Sequence, residues 1–399
     1  MINLKYFRKK IKDVRIKDYC ALFPMIIAKM VSPLFKRKYK DTWIICENEN
    51  EARDNGYHFF KYLSINQPQQ KCFYIISKKA KDYNKVKKLG QVITYGSVKH
   101  WILYYTAQYN ISSQKGGKPN AAWCSFFELI GIFNPHNIFL QHGVIMNKCD
   151  WLMADRCCFD GFITSTNSEY QFVQDTFGYA NKTVQLTGLP RFDNLHCNNV
   201  KSNRIIIMPT WRKWLKLKSE RNNMLEDGIK SSEFMINWME LLNSKELQKI
   251  IEQYDLDIIF YPHREMQQYI SEFKINNRVS IADLDKVDIQ ELMKSAAIMI
   301  TDYSSVCWDM IYMKKPIIFY QFDEKKFREY HYEKGWFNYN NNSFGKSFAN
   351  YKEVIIELEC IIKKQCSISD EYLEAHQREF VFYDNKNSER IYKWLREES

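Results

Sequence analysis

Ile298-Met299-Ile300-Thr301-Asp302-Tyr303-Ser304-Ser305-Val306-Cys307-Trp308-Asp309 is the stretch on which the fold turns. A short apolar strand ends at Thr301, a polar turn follows, and Ser304 and Ser305 open the next helix. The same unit recurs on either side. Downstream of a polar break at 196–204, strands are expected at 205–208, 257–261, 278–281, 298–301 and 316–320. Upstream, they are expected at 42–46, 72–77, 92–95, 108–112, 137–140, 161–165 and 183–187, with helices at 51–63 and 168–177. A final helix is expected at 388–395. Strands alternating with helices imply parallel sheets with crossover helices. The class is therefore α/β, in two successive halves. In open α/β sheets ligands sit beyond the carboxyl ends of the strands, so the polar residues just after each strand are the ones to inspect.

Length and composition agree with two packed halves. The chain has 399 residues, 45% hydrophobic and 16% aromatic, too long for one ordinary core and too apolar for disorder. Lys and Arg number 58 against 47 Asp and Glu, a formal charge of +11 that favours an anionic partner. Nothing resembles a nucleic-acid module, so no nucleic-acid partner is expected. The 11 cysteines include no CxxC pair and are read as reduced thiols rather than zinc ligands. No secretory signal is visible. The longest N-terminal apolar stretch, 20–31, falls short of the roughly 20 residues a bilayer span needs. It is flanked by Arg8, Lys9, Lys10, Lys12, Arg15 and Lys17 on one side and by Lys36, Arg37, Lys38 and Lys40 on the other. Residues 1–40 are accordingly expected to be a basic, monotopic membrane-surface segment, with a core helix carrying solvated basic ends as the alternative. Residues 41–197 then form an N-terminal domain and 198–399 a C-terminal one, the last helix packing back on the first.

The strand ends carry the chemistry. Strand 137–140 runs into Gln141-His142-Gly143, where an imidazole can accept a proton near neutral pH and the glycine permits close approach. Strand 183–187 leads to Gly188-Leu189-Pro190-Arg191-Phe192-Asp193, presenting a bidentate phosphate donor in Arg191. Strand 205–208 ends in Pro209-Thr210-Trp211-Arg212, and strand 257–261 in Pro262-His263-Arg264. Ser304 and Ser305, at a helix start, offer hydroxyls and free N–H groups to an anion, with Asp309 one turn on to accept from ligand hydroxyls. Ser388 and Arg390 open the last helix in the same style and are a second candidate phosphate contact. Asp302 and Asp309 leave a place for a divalent cation, but no acidic cluster demands one; no cofactor is expected.

In their order these motifs resemble the CDP-glycerol glycerophosphotransferase family of teichoic acid polymerases and primases. Glu51-Ala52-Arg53-Asp54-Asn55-Gly56 and Ser388-Glu389-Arg390 are similar to it too, whereas Gln141 stands where the family commonly has Trp. The resemblance implies a glycosyltransferase-B type fold, two Rossmann-like domains facing a cleft, and attachment to the cytoplasmic membrane face without spanning it. It further implies transfer of glycerol or ribitol phosphate from CDP-glycerol or CDP-ribitol to a lipid-linked acceptor. His142 would be the base, and His263 would stabilise the pyrophosphate as CMP leaves. Gly143, Arg191, Pro209, Thr210, Arg212, Ser304, Ser305, Asp309, Ser388 and Arg390 would contact the donor. Two other readings compete: a nucleotide-sugar glycosyltransferase of the same fold, and a basic nucleic-acid-binding protein.

Overall fold

The computed structural model describes residues 14–196, 200–216, 229–283 and 286–398. The expected domain boundary at 197/198 and the basic residues Arg8, Lys9, Lys10 and Lys12 lie outside the described residues. Two compact units are present. The first comprises Met1–Val144, Cys149–Asn194 and Phe382–Ser399, and the second Ile145–Lys148 and Leu195–Val381.

The first unit is built on β1 (Trp43–Ile45), β2 (Cys72–Ile76), β3 (Val92–Thr94), β4 (Tyr109–Ser112), β5 (Asn137–Phe139), β6 (Gly161–Thr164) and β7 (Val184–Leu186), in the order β3-β2-β1-β4-β5-β6-β7. The second has β8 (Arg204–Met208), β9 (Asp257–Phe260), β10 (Val279–Ile281), β11 (Ile298–Thr301), β12 (Ile317–Tyr320) and β13 (Gly345–Phe348), in the order β10-β9-β8-β11-β12-β13. All the strand pairs are parallel. Every residue of β1, β5, β6, β11 and β12 is buried, the mark of strands covered by helices on both faces. Strand order reverses between β1 and β4 and again between β8 and β11. These two reversals open the crevices in which Rossmann-like sheets bind ligands.

Four departures from the sequence-based expectations have physical causes. The helix expected from residue 51 begins at Asn55, because the chain first wraps a buried carboxylate. Glu47 accepts the N–H groups of Arg53 (2.9 Å), Asp54 (3.0 Å) and Tyr57 (2.7 Å). The helix expected at Ser304 begins only at Cys307 and ends at Tyr312, so Ser304 and Ser305 lie in the turn before it. β13 was not expected at all, since Gly-Lys-Ser-Phe has no apolar run.

The fourth departure concerns the N-terminus. No segment was expected to be long enough to span a bilayer, yet helical structure runs unbroken over Ile16–Tyr39, 24 residues, and by length and composition it could. Pro24 does not interrupt it, because in the first turn of the α-helix Leu22–Tyr39 its missing N–H has no partner to lose. One face, with Met25, Ala28 and Tyr39, packs into a cluster with Trp101, Leu103 and Tyr104. The opposite face leaves Ile16, Tyr19, Phe23, Ile26, Met30 and Leu34 exposed. Their spacing of three and four residues makes one continuous apolar stripe.

The helix Asn387–Glu397 belongs to the first unit. Asp193 accepts from Asn387 N (2.8 Å) and Ser388 N (2.9 Å), and Tyr109 donates to the carbonyl of Leu395 (3.3 Å). Gly188 has φ +84°, and a Cβ there would collide with Asn387, so this approach requires glycine. Asp193→Ala is expected to lower the stability of the first unit by about 1 kcal/mol, read from urea melts. An unchanged midpoint would show that the cap contributes nothing.

Candidate functional site

In the first unit the site is built around the end of β5. Gln141 is held at φ +47°, a left-handed conformation that costs energy for a residue with a Cβ. Its side chain anchors it by donating to the Ile163 carbonyl (2.6 Å) and to Glu169 (3.0 Å), while its own carbonyl accepts from Asn55 Nδ2 (2.7 Å). The turn buries Gly143 and leaves the His142 side chain exposed. Arg191 completes the frame. Its guanidinium donates to the His142 carbonyl (2.6 Å) and to Asp54 (2.9 Å), and its backbone N–H to Asn55 Oδ1 (3.0 Å). Arg191 is itself buried and engaged in holding His142 and Asp54. Desolvation and the positive charge of Arg191 push the His142 pKa below the ordinary imidazole value, with Asp54 working against them.

In the second unit the ends of β8, β11 and β12 form one network. Asp302 accepts from the N–H groups of Thr210 (2.8 Å) and Tyr303 (2.6 Å), and its carbonyl accepts from Gln321 Nε2 (3.0 Å). These bonds fix the loops on both sides of the β8/β11 crevice, so Pro209 and Thr210 sit beside the turn holding Ser304 and Ser305. Arg212 was expected to present its guanidinium to a ligand, and here the structure corrects the sequence. The side chain is fully buried, pairing with Asp302 (2.8 Å) and Asp323 (2.7 Å) and donating to the Thr210 carbonyl (2.6 Å). Burial alone would depress its pKa, but the two carboxylates more than offset that and hold it charged. Asp309 is also fully buried.

His263 caps a 3₁₀ turn, its Nδ1 accepting from Glu265 N (3.2 Å), so the neutral ring carries its proton on Nε2. It stacks on Trp211 at 6.3 Å between centroids. Trp211 also meets His331 edge-on, 4.7 Å between ring centroids, a residue the sequence reading missed. Its Nδ1 accepts from Lys213 N (3.2 Å). Burial, aided by the charges of Arg212, Lys213 and His263, pushes its pKa down to about 3, so it is neutral at physiological pH. Asp323 and Gln321 were missed as well, although they follow β12 directly and the strand-end rule could have found them. No strand-end signal marks His331.

Ser388 and Arg390 do not form the expected phosphate contact. The helix start is already filled by Asp193, Ser388 is buried, and Arg390 is engaged by Thr187 (2.9 Å) and Asp384 (3.0 Å). The anion at this helix belongs to the protein itself.

Comparison with known proteins extends these observations. The pattern of the CDP-glycerol:poly(glycerophosphate) glycerophosphotransferase family matches residues 26–397. The minor teichoic acid biosynthesis protein GgaB of Bacillus subtilis (strain 168) is 31% identical over 393 residues, which are 96% of this chain and 42% of GgaB. The chain thus spans less than half the length of that relative. The wall teichoic acid polymerase TagF aligns over 100% of this chain and 98% of its own, with TM-score 0.66 and 16% identity. A TagF variant soaked with CDPG gives TM-score 0.65 at 17% identity, covering 100% of this chain and 98% of its own. The UDP-GlcNAc 2-epimerase of Methanocaldococcus jannaschii covers 89% of this chain and 99% of its own, with TM-score 0.52 and 13% identity. At such identities the structural likeness speaks for the fold, which is of the glycosyltransferase-B type, with two Rossmann-like α/β units. With the family pattern matched across nearly its whole length, the chain belongs to the CDP-glycerol:poly(glycerophosphate) glycerophosphotransferase family.

Proposed function

We propose that this protein transfers glycerol phosphate, or ribitol phosphate, from a CDP-linked donor to a hydroxyl of a lipid-linked cell-surface polymer precursor. The observation that carries the reading is His142, an exposed imidazole of lowered pKa on a turn braced by Gln141, Asn55 and Arg191. His142 takes the proton of the acceptor hydroxyl. The acceptor oxygen bonds to the phosphorus that bears the polyol, the P–O bond to CMP breaks, and its electron pair leaves on the CMP phosphate. His263 offers Nε2–H to the pyrophosphate as charge develops there. Thr210 supplies its hydroxyl, and Ser304 and Ser305 hydroxyl and backbone donors, at the β8/β11 crevice, where Pro209 shapes the backbone; Gly143 does the same beside His142 in the first unit. Arg191 and Arg212 act one step back, by positioning. Charge stabilisation and positioning are the main terms in transfer of this kind.

The decisive experiment measures CMP release from CDP-glycerol and CDP-ribitol against UDP release from UDP-sugars, each with Mg²⁺ and with EDTA. CMP release is expected in both buffers, because the charge terms are assigned to histidines and backbone donors. Turnover of UDP-sugars alone would replace this reading with nucleotide-sugar glycosyl transfer, which the fold also accommodates.

The exposed stripe of the helix Leu22–Tyr39 supports peripheral attachment at the cytoplasmic face of the membrane. Its other face is packed into the first unit, so the helix lies along a surface. Lys36, Arg37 and Lys38 in its last turn complement anionic lipid. The triple change Phe23→Ser, Met30→Ser, Leu34→Ser is expected to lower partition into phosphatidylglycerol vesicles at least tenfold while leaving the melting temperature unchanged. Undiminished partition would place the attachment elsewhere.

A further inference from the structure

A cavity of about 600 Å³ lies in the first unit at the β1/β4 crevice. Glu49 follows β1, Tyr95 follows β3, and Lys115 and Asn120 follow β4, so the carboxyl edge of the sheet forms one side. The other side is the beginning of the N-terminal helical run, with Arg15 and Lys17. That beginning is fastened to the sheet edge: Asn120 Nδ2 donates to Asp18 (2.9 Å) and Trp123 Nε1 to the Asp18 carbonyl (2.9 Å). Lys115 is held by the carbonyls of Trp151 (2.7 Å) and Arg156 (2.9 Å). The side chains of Arg15 and Lys17 make no ion pair among the described residues. The cavity therefore joins three things: a ligand crevice of a Rossmann-like sheet, two cations with no ion-pair partner among the described residues, and the end of the exposed apolar stripe, at Ile16 and Tyr19. β4 lies between this crevice and β5, whose end carries His142. Neighbouring strands are spaced about 4.8 Å apart, so the cavity and the His142 turn are roughly 5–10 Å apart along the sheet edge.

We propose that this cavity is the acceptor's entry site, taking the phosphate-bearing headgroup of a lipid-anchored acceptor whose hydrocarbon chain stays in the membrane beside the stripe. Arg15 and Lys17 meet the phosphate. Glu49, Tyr95 and Asn120 meet its hydroxyls. The free end reaches on toward His142. This inference rests on the transfer reaction proposed above.

The test fills the cavity without touching its charges. Ala121 and Ala122 line it from the first turn of the helix Ala121–Leu129, and Ala121 is exposed, so a larger side chain there leaves the core alone. Ala121→Trp and Ala122→Trp are assayed with a lipid-anchored oligo(glycerol phosphate) in phosphatidylglycerol vesicles, with melting curves to confirm folding. The expected result is an acceptor KM raised at least tenfold, with the KM for CDP-glycerol within twofold of wild type and vesicle partition unchanged. An unchanged acceptor KM in either folded variant overturns the entry site. Absence of CMP release from the wild-type protein would instead overturn the transfer reaction, so the two failures are distinguishable.

Discussion

Replacing His142 with alanine is expected to lower kcat by about 10²- to 10⁴-fold, the usual contribution of a general base, with melting behaviour unchanged. The separation follows from the geometry. The imidazole is exposed, whereas the braces of the turn run through the His142 carbonyl, the Gln141 side chain and carbonyl, and Arg191. Alanine keeps all of these. The pH dependence supplies a second readout. A base works when unprotonated, and a lowered pKa keeps it unprotonated further into acid. The acidic limb of the kcat/KM profile should therefore fall below the usual histidine value of about 6.5, and the His142→Ala variant should lack that limb. Single-turnover CMP release measures both, and near-normal turnover in the variant would remove His142 from the mechanism.

The largest stability effect is expected at Arg212. Deleting its side chain leaves Asp302 and Asp323 facing each other in a site sealed from water, a loss of about 3–5 kcal/mol for a buried pair stripped of one partner. Against total stabilities of about 5–15 kcal/mol, Arg212→Ala should remove a large share of the stability of the second unit. Arg212→Lys should rescue little, since a single ammonium lacks the planar fork that serves Asp302, Asp323 and the Thr210 carbonyl together. Urea melts followed by Trp fluorescence would report this. A variant within 1 kcal/mol of wild type would mean that the carboxylates find other partners.

These two residues illustrate what a strand-end rule reads and where it stops. Apolar runs separated by turn residues marked the strands to within a residue or two, because strands covered on both faces have little freedom in composition. The rule also brought the chain's polar residues to the correct edge of each sheet. It did not tell which way each side chain faces once there. Trp211 and Arg212 are adjacent, yet the first is half-exposed beside two histidines and the second is sealed against two carboxylates. Nor could it tell that the helix start at Ser388 already had its anion, because Asp193 lies far away in sequence. β13 escaped for the opposite reason. Gly345-Lys346-Ser347-Phe348 is only partly covered and contains no apolar run, so its composition carries little signal.

The placement of the helix Asn387–Glu397 bears on how the protein is made. The first unit has two long segments ending at Asn194 and a third that resumes at Phe382, with almost the whole second unit translated in between. At typical elongation rates of about 5–20 residues per second, an interval of roughly 10–40 s separates these parts. During that time Gly161, which packs against Trp394, and the ring of Trp43, which meets Tyr392, have no partner on that side. The nascent first unit therefore displays an unfilled apolar seat on the ribosome, and the second unit is free to complete its own sheet before the first can be closed.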